Sequence, residues 1–156
     1  MISFRYENHR SAPAAFRSGD WWQEEALSTT AEVPSVIGAV TAAMAKKHYP
    51  DKDVFAVRLG LEEALINAVK HGNGGDPLKQ VEVRYHVTAE RVLVEVQDEG
   101  EGFDPDGLPD PLAPDNLLRP HGRGLLFMRS FLSWVQFNRT GNGVILCKYR
   151  SRPEPP

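Results

Sequence analysis

The sequence predicts an α/β (α+β) domain, a two-layer sandwich in which helices cover one face of a mixed, largely antiparallel sheet. Two observations predict it. The hydrophobic periodicities run helix, helix, strand pair, glycine-rich loop, helix, strand pair. The strands come as neighbours joined by short turns, which is how antiparallel hairpins are built. A doubly wound parallel sheet would need strict alternation of strand and helix instead.

The elements follow in order. Trp22 to Thr30 reads as a strand. Pro34 suits a first helical turn, and Val36, Ile37, Val40 and Met44 recur at helical spacing, giving a helix over 33–48 that Tyr49-Pro50 ends. Asp51 or Asp53 is placed to cap a second helix running to about His71, where Gly72, Gly74 and Gly75 stop it. Val81, Val83 and Tyr85 alternate with polar residues, as do Val92, Val94 and Val96, so two strands turn through Thr88-Ala89-Glu90. Pro105, Pro109, Pro111, Pro114 and Pro120 keep the next stretch irregular, and 125–132 is again helical in pattern. Two last strands, 135–138 and 144–150, meet through Thr140-Gly141-Asn142-Gly143, with Asn142-Gly143 as the hairpin signal.

A chain of 156 residues fits one domain. Residues 1–20 read as an extension or tail, 21–150 as the domain, and 151–156, with three prolines, as a disordered end. Eighteen Lys and Arg against 21 Asp and Glu leave a formal net charge of −3, which argues against direct nucleic-acid binding. No apolar run approaches the roughly 20 residues of a membrane span. Arg5, His9 and Arg10 interrupt any apolar start, so a cytoplasmic location is expected. Cys147, the single cysteine, lies in the run Val144-Ile145-Leu146 and is expected to be a buried, inert thiol.

The second helix carries more than a core stripe. Val54, Val57, Leu61, Leu65 and Ala68 share one line, and Phe55, Leu59 and Ile66 a second. On the far side lie Ala56, Gly60, Glu63, Asn67, Lys70 and His71. Glu63 and Asn67 are one turn apart, about 6 Å. A carboxylate, a carboxamide and an imidazole in a row on a largely buried helix either face water or line a polar site.

Two glycine motifs accompany that row. Asp98-Glu99-Gly100-Glu101-Gly102 follows a strand, so the backbone turns sharply and one carboxylate is left at the sheet edge. His121-Gly122-Arg123-Gly124-Leu125 precedes a helix, where glycines let backbone N–H groups approach a phosphate. Either motif alone is also what an ordinary loop would show. No Gly-x-x-x-x-Gly-Lys-Ser/Thr loop and no zinc-type spacing is present.

In order, Glu63-x-x-x-Asn67-x-x-x-His71, Asp98-x-Gly100-x-Gly102 and Gly122-x-Gly124 resemble the three motifs of the GHKL superfamily of histidine-kinase-like ATPases, the Bergerat ATP-binding fold. The stretch from Glu63 to Gly72 is most similar to the anti-sigma-factor serine/threonine protein kinases, and the resemblance covers roughly residues 25–150. It implies ATP and Mg²⁺ as ligands. It implies that Asn67 coordinates the Mg²⁺, that Glu63 is the general base and that Asp98 accepts a hydrogen bond from the adenine amine. Gly100 and Gly102 would shape the purine pocket, and Gly122 and Gly124 would close on the phosphates, with Lys70, His71 and Arg123 as further nucleotide-side residues.

Residues 104–121 correspond to the ATP lid, expected to be mobile without nucleotide and more ordered with it. Family members often carry a basic residue just before the second glycine motif, where this chain has Pro120-His121. The resemblance further implies a protein partner, a sigma factor or an anti-anti-sigma factor, and allows a homodimer. Two activities fit: phosphorylation of such a partner, or nucleotide-dependent sequestration with little catalysis.

Overall fold

A computed structural model describes residues 22–102, 128 and 130–156. The expected tail 1–20, the lid, Gly122, Arg123, Gly124 and half of the predicted 125–132 helix lie outside the described residues.

The described strands are β1 (Gln23–Leu27), β2 (Val81–Val87), β3 (Arg91–Gln97), β4 (Trp134–Phe137) and β5 (Gly143–Tyr149). They form one sheet in the order β1-β2-β3-β5-β4, and all four pairings are antiparallel. Two helices, α1 (Val33–Lys46) and α2 (Asp51–Asn67), pack on one face. The two-layer α+β sandwich expected from the sequence is therefore the observed architecture.

The alternation in the strands creates the core. Val81, Val83 and Tyr85 of β2, Val92, Val94 and Val96 of β3, and Val144 and Leu146 of β5 point the same way. Val36, Ile37, Val40 and Met44 of α1 and Val57, Leu61 and Leu65 of α2 close over them. Each such side chain contributes about 1.5–3 kcal/mol by leaving water. On the opposite face, Leu93 and Cys147 are cross-strand partners, both fully buried, with Trp22 and Trp134 packed on them. Arg84 lies 5.4 Å from the centre of the Trp22 ring and pairs with Glu95.

Several local expectations are corrected. Helix α1 stops at Lys46, short of the expected 48, because His48 takes a left-handed φ of 56°. Arg150 holds that corner, donating to the Lys47 and His48 carbonyls at 2.9 and 2.6 Å. Neither Asp51 nor Asp53 caps α2: the N-cap is Pro50, with no side-chain cap bond. Asp53 turns inward instead, is fully buried, and accepts hydrogen bonds from the Ser151 N–H and hydroxyl, with Lys148 Nζ 3.9 Å away. A buried carboxylate must find donors, and the chain leaving β5 supplies them. Phe55, expected on a second apolar stripe, is 55% exposed and meets Phe131 edge-on at 6.2 Å.

The β4–β5 connection also differs. Asn142-Gly143 does not form the turn, since Gly143 already belongs to β5. The turn runs Asn138 to Gly141, closed by Gly141 N–H to the Asn138 carbonyl at 3.1 Å, with Gly141 at φ 74°. A tight turn followed by a left-handed glycine is a longer hairpin loop than the two-residue form the Asn-Gly pair suggests.

Candidate functional site

The polar row on α2 divides in two. Ala56 and Gly60 are buried, and a Cβ on Gly60 would lie 2.6 Å from Leu132 Cδ1. That half of the row is a packing seam. Glu63 and Asn67, further along, are only partly buried, and no described residue hydrogen-bonds to either side chain. The small residues let a neighbour close on the helix, and the polar ones begin where that cover stops.

Directly after Asn67 the helix widens into a π-helical turn, Ala68–Gly72. It is closed by Asn73 N–H to the Ala68 carbonyl at 2.8 Å, and Gly75 N–H bonds the Val69 carbonyl at 2.9 Å. Gly74 and Gly75, with φ of 63° and 72°, then reverse the chain at no steric cost. Single π turns are rare and often sit at functional positions. Lys70 and His71 are exposed on this turn, so His71 does not share the half-buried setting of Glu63 and Asn67.

The π turn presses Gly72 against the end of β3. A Cβ on Gly72 would sit 2.2 Å from Asp98 Oδ2, and one on Gly100 would sit 1.9 Å from the Gly72 carbonyl oxygen. Gly102 combines φ 80° with a backbone approach that would put its Cβ 1.8 Å from the Thr140 carbonyl oxygen. The glycines of the Asp98 motif are there for contact with two other segments as well as for turning.

Hydrogen bonds fix the same loop. Asp98 N–H donates to the Asn142 carbonyl at 2.9 Å, Glu99 N–H to Asn73 Oδ1 at 2.7 Å, and Gly100 N–H to Asp98 Oδ1 at 2.8 Å. Three consecutive amides are thus committed within the protein. What the loop presents is the Asp98 carboxylate, an acceptor suited to an N–H-bearing ligand. Burial pushes the Asp98 carboxyl above the usual aspartate range, opposed by the Gly100 N–H and by Lys79.

Among the described residues, no group of three or more His, Cys, Asp or Glu side chains converges as if on a metal. The donors present suit a different arrangement. Mg²⁺ prefers oxygen, keeps several waters and is commonly held by one or two protein groups plus substrate phosphates. The uncommitted carboxamide of Asn67, with Glu63 one turn away, fits that pattern.

The structure therefore brings Asn67, Gly72, Asp98, Gly100 and Gly102 into one connected region, with Glu63 on the adjoining turn. It adds three residues the sequence reading missed. Asn73 is 3% exposed and holds Glu99. Asn142 donates from Nδ2 to the Gly100 carbonyl at 3.3 Å. Asn138 receives the Asn142 and Gly143 N–H groups at 3.1 and 3.2 Å. Asparagines beside glycines read as plain turn residues, and that same capacity to bond nearby backbone is the signal that could have found them.

Comparison with known proteins agrees with this fold. A family model described as a histidine kinase-like ATPase domain matches residues 26–148. The serine-protein kinase RsbW of Bacillus subtilis (strain 168) is 28% identical over 127 residues, spanning 74% of this chain and 79% of the relative. The protein of that name from Bacillus licheniformis is 28% identical over 131 residues, spanning 76% and 81%. That from Staphylococcus epidermidis is 26% identical over 105 residues, spanning 62% and 66%.

Proposed function

The chain belongs to the histidine kinase-like ATPase domain family, and on that premise we propose that it is an ATP-dependent serine/threonine protein kinase of the anti-sigma-factor type. ATP is the ligand that family membership implies. The observation that carries the kinase reading is the pairing of Glu63 with Asn67 on an open stretch of α2, joined through the π turn to the Asp98 loop. Similarity to serine-protein kinases supports it.

In this reading Asp98 accepts the amine of adenine, with Gly100 and Gly102 shaping the base pocket. Lys70, His71, Gly122, Arg123 and Gly124 serve the phosphate side. Asn67 would hold Mg²⁺, which would supply charge neutralisation at the phosphates. Glu63 takes the proton from a serine or threonine hydroxyl of the partner. That oxygen bonds to the γ-phosphorus as the bond from the γ-phosphorus to the bridging oxygen breaks, and ADP leaves. The partner is an anti-anti-sigma factor, and a sigma factor is what the nucleotide-bound form sequesters.

The test is phosphoryl transfer from labelled ATP to a partner captured from native lysate in the presence of Mg-ATP. Glu63→Gln should keep nucleotide affinity within about twofold and lower transfer about 10²–10⁴-fold, the usual worth of a general base. Asn67→Ala should weaken Mg²⁺-dependent binding and transfer together. Nucleotide-dependent capture with no transfer by the wild type would overturn the kinase reading in favour of a binding switch.

A further inference from the structure

Asp98 is held in a way that bears on which base it can accept. Its Oδ1 accepts Gly100 N–H at 2.8 Å, which fixes the plane of the carboxylate and leaves lone pairs on both oxygens in a set direction. A free carboxylate does not by itself prefer adenine. With two oxygens it can accept both donors of guanine, the ring N–H and the exocyclic amine, in a bidentate pair. Fixed toward the position of the adenine amine it accepts that one donor, and there it meets the guanine carbonyl as one acceptor facing another.

Keeping Asp98 in that state requires a loop that cannot pivot. Two asparagines from different elements hold it. From the helix side, Asn73 closes the π turn with its backbone N–H and receives Glu99 N–H on its side-chain oxygen at 2.7 Å. From the sheet side, Asn142 receives Asp98 N–H on its carbonyl at 2.9 Å and donates Nδ2 to the Gly100 carbonyl at 3.3 Å. Asn142 is itself braced, since its Oδ1 accepts from Asn138 Nδ2 at 2.9 Å and from the Thr140 hydroxyl at 2.6 Å. Gln97 Nε2 adds bonds to the Asp98 and Asn142 carbonyls, both at 3.0 Å.

We propose that Asn73 and Asn142 are positioning residues that set base selectivity: they clamp residues 98–100 so that the Asp98 carboxylate cannot swing toward the two guanine donors and takes adenine in preference to guanine. The proposal rests on the reading of Asp98 as the base-binding residue. The clamp also accounts for Asn73 being almost fully buried while its Nδ2 has no partner. The residue is retained for its acceptor oxygen at the cost of an idle donor, and apolar packing alone would not select it.

The experiment is calorimetric titration of ADP, GDP and pyrophosphate into the wild type and into Asn73→Ala, Asn142→Ala and Asn142→Asp. The aspartate variant keeps the side-chain size on a half-buried hairpin and replaces the donor to the Gly100 carbonyl with a charged acceptor. The wild type should prefer ADP. Each variant should lose about tenfold of the ADP-to-GDP preference, the scale of one hydrogen bond, while pyrophosphate binding stays within about twofold. A wild type that prefers ADP, with variants that keep the preference, overturns the clamp and leaves the base-binding role of Asp98 standing. Equal weakening of ADP, GDP and pyrophosphate overturns it as well, because a purely structural defect does that. A wild type that binds pyrophosphate but shows no preference between bases sinks the base-binding role together with the clamp.

Discussion

Asp98 is subject to two opposing demands. Burial favours its neutral form, and accepting a base amine requires its charged form. The folded carboxyl titrates above its unfolded range of about 3.9. On stability, the raised group contributes fully below the unfolded value, and that contribution is lost as pH rises through the folded one. Binding has the opposite sign. Nucleotide affinity should fall as pH is lowered, starting at a higher pH than an ordinary aspartate would give. Dissociation constants for ADP across the weakly acid range check this, and Asp98→Asn should bind weakly with the acid limb gone. Glu63, Asn67 and Asp98 stood out by residue type and spacing, while their roles came only from the resemblance of their motifs. Asn73 was not, because its importance lies in one backbone amide, that of Glu99, which is 26 residues away in sequence.

Among the elements, α1 and the β2–β3 hairpin follow directly from periods of 3.6 and 2. Helix α2 was legible in its core stripe and only half legible in its polar row. Whether Gly60 faces solvent or a neighbour depends on Leu132, and no local pattern encodes that contact. The Asn142-Gly143 signal failed for a related reason: Gly143 is needed in β5 opposite Gln97, where a Cβ would lie 2.4 Å from the Gln97 side-chain oxygen. Sheet packing overrode the turn preference. The Asp98 loop gives a direct test of such contacts. Gly72→Ala places a methyl group on the Asp98 carboxylate, so it should reduce ADP affinity at least about tenfold while costing only a few kcal/mol of stability, the usual range for a local clash. Calorimetry and urea unfolding of the same variant separate the two effects.

The molecule as a whole has an apolar core on one side of its sheet and a small sealed cluster on the other. Cys147 belongs to that second cluster, and burial pushes its thiol up to about 12, against the pull of Arg91 and Lys148. Burial likewise pushes the Tyr49 hydroxyl up to about 12, against the pull of Arg150. Both groups bind their protons more tightly folded than unfolded. Their stabilising contribution is complete below about pH 8.5, the unfolded thiol value, and is lost as pH rises toward 12. The urea midpoint should therefore fall steadily between pH 8.5 and 11, and Cys147→Ala should flatten part of that slope. In the native range the thiol should resist alkylating reagents until the protein unfolds. Among the described residues no helix is long and apolar enough to cross a membrane.

The π turn can also be seen as a phase setting on a screw. A helix advances about 100° per residue, so the length of chain between Asn67 and Asn73 decides which way Gly72 and the Asn73 oxygen face when they reach Glu99. The widened turn accommodates one residue more than a regular helical turn closing on the same Ala68 carbonyl. Removing one residue, the exposed Lys70 for instance, with Lys70→Ala as the control for the lost cation, would let the helix continue in regular form. Helical content by circular dichroism should then hold or rise slightly. The segment after it would arrive rotated by roughly a quarter turn, with Asn73 directed away from the Asp98 loop. A protein that is no less helical and yet fails to bind ADP is the expected outcome, and retained ADP affinity would show that the loop does not depend on this register. In a chain of this kind a single-codon deletion on an exposed turn can be more damaging than most substitutions in the core.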